Sequence, residues 1–137
     1  MRRGGCSRPA PSERPPVIRY ERPCPGNLLH IDTKRFGRFQ VPGHALSGHR
    51  TQRSRRVGWE YVHSIVDDCS RVAYSEIHDD ERAATVTAFT RRALDWFLAH
   101  GIVAERLTTD NAFSDVHNKS LRALLRARAI EHLRTRP

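Results

Sequence analysis

The sequence predicts one α/β domain, in which a mixed sheet is flanked by helices. Three runs of β-type residues come first, and the second and third are separated by a short polar turn. A long segment with helical spacing of its apolar residues follows, and strand and helix patterns then alternate. This order, β-β-β-α-β-α-β, is typical of a mixed sheet with helices around it. A length of 137 residues suits a single domain.

The first strand is predicted at Leu28–Thr33, an apolar run that contains one carboxylate, Asp32. Burial of a lone ionised carboxylate is costly, so either this strand end is exposed or Asp32 has a positive partner. The following segment, Lys34–Arg56, is rich in Lys, Arg and Gly and has no acidic residue. We therefore expect a long loop or a hairpin extension there.

The next two strands are predicted as a hairpin. Trp59–Val66 combines aromatic and β-branched residues, and Val72–Ile77 alternates loosely between apolar and polar residues. The polar segment Asp67–Arg71 between them is typical of a turn.

A helix is predicted at Glu81–His100. Asp79 and Asp80 are expected to cap its start, and Gly101 is expected to end it as a C′ glycine. One apolar face repeats at spacings of three, four and seven residues. Its members are Val86, Phe89, Ala93, Trp96 and Phe97.

The last elements are shorter. We expect a strand within Ile102–Thr109, a second helix capped at Asn118 or Ser120, and a final strand at Ile130–Leu133. The second helix would bury three leucines, Leu121, Leu124 and Leu125.

Composition limits the partners and the compartment. The chain has 24 Lys and Arg against 15 Asp and Glu, a net charge of +9, which favours a polyanionic partner such as DNA. Residues 1–26 are rich in Pro, Gly, Ser and Arg and predict a flexible basic arm, with the folded part at 27–137. No segment is apolar for long enough to span a membrane, and the N-terminus lacks the apolar core of a secretory signal. Three cysteines without CxxC spacing support neither a disulfide framework nor a zinc site, so a cytoplasmic location is expected.

Two acidic residues stand at predicted strand ends, Asp32 and Asp110. If the first and fourth strands are parallel neighbours, these carboxylates lie side by side and repel each other unless a divalent cation lies between them. Oxygen ligands of this kind suit Mg²⁺ or Mn²⁺. A strand-end Asp is, however, more commonly a helix cap or a turn former, and spacing alone leaves both interpretations open.

Within the basic segment, four arginines are candidates for contacts to the DNA backbone, since cationic side chains neutralise phosphates. These are Arg50, Arg53, Arg55 and Arg56. The alternative is a solvated basic loop without a ligand.

Four segments together resemble the catalytic core of the integrase family, in particular DDE transposases of bacterial insertion sequences. They are RYERPCPGNLLHIDTKRFGRF (19–39), GWEYVHSIVDDCSRVAYSEIHDDE (58–81), LTTDNAFS (107–114) and NKSLRALLRARAIEHLRTRP (118–137). The resemblance implies a ribonuclease-H-like fold in which Asp32 and Asp110 hold Mg²⁺ or Mn²⁺. It implies cleavage of DNA followed by attack of a 3′-hydroxyl on target DNA.

The family's third acidic residue, a Glu on a helix beyond the last strand, has no counterpart in this sequence. The resemblance therefore implies a truncated core that lacks the C-terminal helices and is inactive alone. Apolar surface left by such a truncation favours pairing with another copy of the chain. The alternative function, from a different class, is a noncatalytic basic protein that binds nucleic acid without a metal.

Overall fold

The structure, a computed structural model, describes residues 23–39, 56–110 and 118–134. The predicted order of elements is confirmed in this part of the chain. The elements are β1 (Leu29–Phe39), β2 (Arg56–Asp67), β3 (Ala73–His78), α1 (Ala83–Ala99), β4 (Arg106–Thr109), α2 (Lys119–Ala127) and β5 (Glu131–Arg134).

The five strands form one mixed sheet in the order β3-β2-β1-β4-β5. The first three strands pair antiparallel as a meander, while β1, β4 and β5 run parallel to one another. α1 carries the chain from β3, at one edge, across the sheet to β4, and α2 is the crossover connection between the parallel neighbours β4 and β5. This topology places β1 at the centre of the sheet, paired on both sides.

β1 is longer than the sequence predicted, because it continues to Phe39 instead of ending at residue 33. Of the two alternatives for the segment after residue 33, the hairpin extension is confirmed for this stretch, and its charged side chains find partners across the hairpin. The Arg35 guanidinium lies 4.4 Å from the ring centroid of Trp59, and Arg38 Nε donates to Glu60 Oε1 at 2.8 Å.

The core lies on one face of the sheet, beneath both helices. Successive strand residues point to opposite faces, so alternate positions of β1 enter the core. Leu29 and Ile31 are buried there, whereas His30 and Asp32 are exposed on the other face. The other buried members are Ile65, Val86, Phe89, Ala93, Leu94, Phe97, Ile102, Leu107, Leu121, Leu125 and Ile130.

The start of α1 differs from the prediction. Its N-cap is Arg82, and no side chain caps the helix. Asp80 instead lies outside the helix, where its Oδ1 accepts hydrogen bonds from the Arg82 N–H at 3.0 Å and from the Thr85 hydroxyl at 2.5 Å. The carboxylate therefore orders the approach to the helix without occupying the cap position.

The predicted end of α1 is confirmed. Gly101 has φ +78°, and the Ile102 N–H donates to the Phe97 carbonyl at 2.9 Å, as in a Schellman motif. Both partners of that hydrogen bond belong to the core. α2 begins as one of the two predicted alternatives, because Asn118 Oδ1 accepts from the Leu121 N–H at 3.0 Å.

A helix that could cross a bilayer, being both long and apolar enough, does not occur among the residues described.

Candidate functional site

The predicted pairing of the two acid-bearing strands is confirmed. β1 and β4 are parallel neighbours, and their last registered pair is Ile31 with Thr109. Asp32 and Asp110 are the next residues of the two strands, at the carboxyl ends of the paired run. Neighbouring strands lie about 4.8 Å apart, so this register places the backbones at Asp32 and Asp110 next to each other.

Asp32 lies on the face of the sheet that the helices leave uncovered. Its side chain is 57% exposed, and Lys34 Nζ lies 3.7 Å from its Oδ2. Both alternatives raised by the sequence therefore hold, because the strand end is exposed and a cation is nearby. An exposed pair at this distance contributes little energy. A hollow of about 370 Å³ at this place is lined by Asp32, Lys34, Phe36, Val62, Ser64 and Val66.

The donor set at Asp32 and Asp110 consists of carboxylate oxygens, which divalent cations such as Mg²⁺ prefer. Two carboxylates, exposed and on adjacent strands, suit one Mg²⁺ or Mn²⁺ ion that keeps several of its waters. No group of three or more His, Cys, Asp and Glu side chains converges among the residues that the structure describes. The described residues thus fit a single, largely hydrated ion and not an enclosed protein cage.

His30, two residues before Asp32, points to the same face of the sheet as Asp32. Its Nε2 lies 3.7 Å from Asp68 Oδ1, which also accepts from Arg71 Nη1 at 3.3 Å. His30 is thus directed toward the β2–β3 turn.

The four arginines proposed for DNA contacts lie at the border of what the structure describes. Arg50, Arg53 and Arg55 fall outside the described residues, and Arg56 begins β2 with a side chain that is not described. Their role in DNA binding stays a prediction.

A buried histidine, which sequence reasoning missed, supports the strand that carries Asp32. His63 has no exposed area, and its Nδ1 lies 2.7 Å from the Thr33 hydroxyl, while Nε2 lies 3.0 Å from the Asp80 carbonyl. A carbonyl only accepts, so we assign the proton to Nε2 and the acceptor role to Nδ1. Burial lowers the pKa of His63, which keeps the ring neutral. The ring thereby ties the residue after Asp32 to the segment before α1.

A buried carboxylate organises the β2–β3 turn. Asp67 is fully buried, and its Oδ2 accepts from the Ser70 hydroxyl at 2.6 Å and the Ser70 N–H at 2.8 Å. Its Oδ1 accepts from the Gly26 N–H at 2.8 Å. Burial alone would raise the pKa of Asp67, but these hydrogen bonds outweigh it and lower the pKa. The prediction that Asp67 forms the turn agrees with these contacts, although its burial was not foreseen.

A second network joins β3 to α1. Glu76 accepts two hydrogen bonds from Arg92, at 2.9 and 2.6 Å, and one each from Tyr74 and His78. Arg92 is the main reason that the pKa of Glu76 falls to about 2. The network holds the helix against the meander, at a distance from the acid pair.

Comparison with known proteins was made for the whole chain. The family model described as "Integrase core domain" matches residues 22–137. The chain belongs to this family. The family predicted from the four sequence segments is thereby confirmed, whereas an origin in a bacterial insertion sequence stays a prediction. No curated protein sequence matches the chain significantly.

Solved structures of integrases share the fold of this family member. The HTLV-2 integrase catalytic core domain in complex with magnesium, in its dimeric form, has a TM-score of 0.59 at 12% identity. That match covers 80% of this chain and 61% of the HTLV-2 chain. The simian T-cell lymphotropic virus intasome, in complex with PP2A regulatory subunit B56 gamma, has a TM-score of 0.57 at 16% identity. That match covers 82% of this chain and 35% of the intasome chain. The predicted ribonuclease-H-like α/β fold is confirmed, and the chain spans less than two thirds of these relatives.

Proposed function

We propose that this integrase core domain acts in DNA integration or transposition, and that Asp32 and Asp110 hold one Mg²⁺ or Mn²⁺ ion for phosphodiester cleavage and strand transfer. The observation that supports this most directly is the parallel register of β1 and β4, which ends one residue before each acid. The HTLV-2 core domain, which shares the fold, was solved in complex with magnesium.

The chain's own residues would prepare this site. Asp32 and Asp110 supply oxygen ligands on rigid, neighbouring strands, and the Thr33–His63 hydrogen bond fixes the backbone beside Asp32. Lys34 lies 3.7 Å from Asp32 and would lose this weak contact when a cation binds. When bound, a divalent cation neutralises charge that develops on the attacked phosphodiester.

Metal binding tests this proposal without any need for turnover. Titration with Mn²⁺, followed by calorimetry, is expected to show one site in the wild type. Asp32→Asn and Asp110→Asn should each weaken it by about tenfold or more, since each removes one charged ligand. Asp79→Asn is the matched control, because Asp79 is an exposed carboxylate that pairs with Arg38 away from this site. Equal Mn²⁺ affinity in the wild type and Asp32→Asn would contradict the proposal.

We further propose that this chain alone performs little or no strand transfer. No third acidic side chain joins Asp32 and Asp110 among the described residues, and a second metal position needs further ligands. The assay is incubation of the purified chain with Mg²⁺ or Mn²⁺ and a DNA fragment that carries the donor end. Robust nicking that disappears in Asp32→Asn would show that the pair suffices.

The alternative function is noncatalytic binding of nucleic acid, which the net charge of +9 favours. It predicts DNA binding that is the same in EDTA and in Mg²⁺, and no Mn²⁺ site in the titration above. A metal site lost in Asp32→Asn would exclude this alternative.

Self-association is part of the proposed function, since structures of the HTLV-2 core domain exist in dimeric and trimeric forms. Light scattering on the full chain should give a mass above 15.7 kDa, the mass of one copy. A mass of one copy at all concentrations would contradict this.

A further inference from the structure

One face of α2 carries a row of basic side chains. Lys119, Arg122 and Arg126 are spaced by three and four residues, which places them on the same side of a helix. The row extends about 10 Å along the helix axis. No acidic residue occurs within α2, whose sequence is KSLRALLRA.

The row continues onto the edge of the sheet. β5 is the last strand, and Arg134 lies at its carboxyl end, on the strand face that α2 covers. Two hollows, of about 320 and 240 Å³, adjoin each other because Arg122 and Arg126 line both. The first is completed by Lys119 and Ala123, and the second by Leu125, Ile130, His132 and Arg134. We name the surface formed by Arg122, Arg126 and Arg134 the α2–β5 basic strip.

Part of the charge of this surface, that of Arg126 and Arg134, has no neighbouring acid in the described part of the chain. There, no carboxylate lines either hollow, and Arg126 and Arg134 form no ion pair. By contrast, Arg128 on the adjoining turn is paired, with its Nη1 at 2.6 Å from Asp95 Oδ1. The Glu131 side chain alternates with Arg134 along β5 and so points to the opposite face of the sheet.

His132 lies within the positive charge of the strip and contacts β4 directly before Asp110. Burial lowers the pKa of His132, and the charges of Arg134 and Arg122 lower it further. His132 Nε2 lies 3.0 Å from the hydroxyl of Thr109, the residue directly before Asp110. The strip therefore reaches the carboxyl end of β4 on the helix-covered face of the sheet, opposite to the face that carries Asp32.

We propose that the α2–β5 basic strip binds the phosphate backbone of duplex DNA at the carboxyl end of β4 and β5, on the face of the sheet opposite to Asp32. This rests on the proposed function, because it takes DNA as the ligand. Guanidinium groups form bidentate hydrogen bonds with phosphate, and the row on α2 matches the axial rise of about three nucleotides of one strand. The ligand is recognised by its charge and spacing, so binding here is independent of base sequence.

The test is DNA binding by the full chain in EDTA, measured by fluorescence anisotropy over a range of salt concentrations. Each phosphate contact contributes about 0.9 to the slope of log K against log salt. The double variant Arg126→Gln/Arg134→Gln should lose about 1.8 from that slope and bind about 60-fold more weakly at 0.1 M salt. The matched control Arg82→Gln/Arg91→Gln removes the same charge from exposed positions of α1 and its cap, and should retain the wild-type slope.

The possible outcomes distinguish a failure of the strip proposal from a failure of the proposed function. Both replaced arginines are exposed, and circular dichroism will confirm that the variants fold. An unchanged slope in Arg126→Gln/Arg134→Gln, or an equal loss in the control, overturns the strip while DNA binding by the wild type still supports the proposed function. No DNA binding by the folded wild-type chain at low salt overturns both.

Discussion

Replacement of His63 by Gln is expected to reduce the pH dependence of stability. His63 is fully buried between the Thr33 hydroxyl and the Asp80 carbonyl, and burial lowers its pKa. The unfolded chain therefore binds a proton on this ring more readily than the folded chain. It follows that the stability contributed by neutral His63 is complete above the unfolded pKa of about 6.5 and is lost as pH falls.

The size of the change in the free energy of unfolding follows from the protonation of His63 in the unfolded chain. Between pH 7.5 and 5.5, a hydrated imidazole changes from about one tenth to about nine tenths protonated. If the folded ring stays neutral over this interval, the free energy of unfolding falls by at most about 1.4 kcal/mol. His132, whose pKa burial also lowers, adds a loss of the same sign. Glu76 hardly contributes, since its folded pKa of about 2 lies far below this interval.

Urea denaturation at pH 7.5 and 5.5 measures this difference. The wild type should lose up to about 1.4 kcal/mol more than His63→Gln when pH is lowered, because Gln does not titrate. His100→Gln serves as the control, since His100 is exposed in the folded chain whereas His63 is fully buried. The reasoning is refuted if His63→Gln and the wild type show the same pH difference, or if His100→Gln reproduces the effect.

Two further predictions concern the approach to β1. A Cβ at Gly26 would lie 2.0 Å from the Val103 carbonyl oxygen, so Gly26→Ala should lower the free energy of unfolding by about 3 kcal/mol. Gly58 also has positive φ but faces open space, so Gly58→Ala should lower it by only about 1 kcal/mol. Equal thermal midpoints of the two variants would contradict this. Asp67→Asn should lower the free energy of unfolding by about 2–4 kcal/mol, because an amide cannot accept all the hydrogen bonds that the carboxylate receives. Asp79→Asn, which breaks an exposed ion pair, should lower it by less than about 1 kcal/mol. Similar urea midpoints for these two would show that the buried hydrogen bonds contribute little.

The part of the fold that the sequence predicted is the part governed by local signals. α1 ends where predicted because Gly101 adopts positive φ, and α2 begins at Asn118 because that side chain caps it. β1 was predicted too short because its second half carries cations that are satisfied only by side chains on β2, such as Glu60 for Arg38. Cross-strand partners of this kind are set by the register of the hairpin, which spacing within one strand does not reveal.

The candidate site, like the fold, has a part that the sequence predicted and a part that it did not. The order of elements favoured parallel strands at Asp32 and Asp110, because a helical crossover joins parallel strands, but their pairing was only a condition until the sheet order was known. The role of His63 and the burial of Asp67 were missed because both depend on segments distant in sequence, including Gly26, which lies 41 residues before its acceptor Asp67. The i, i+3 spacing of Asp67 and Ser70 was a signal for the turn, although not for its burial.

The sheet topology also explains why the candidate metal site and the proposed DNA-binding strip lie in different parts of the molecule. β1 is paired on both sides, so Asp32 lies on the most constrained strand, where a small displacement of a ligand is resisted. Within the described part of the chain, the edge strand β5 has a neighbour on one side only, which leaves room for duplex DNA beside Arg134. A metal site needs fixed geometry, whereas backbone phosphates need positive charge on an accessible surface. The sheet order β3-β2-β1-β4-β5 provides the first at its centre and the second at its edge, with Thr109 and His132 forming the link between them.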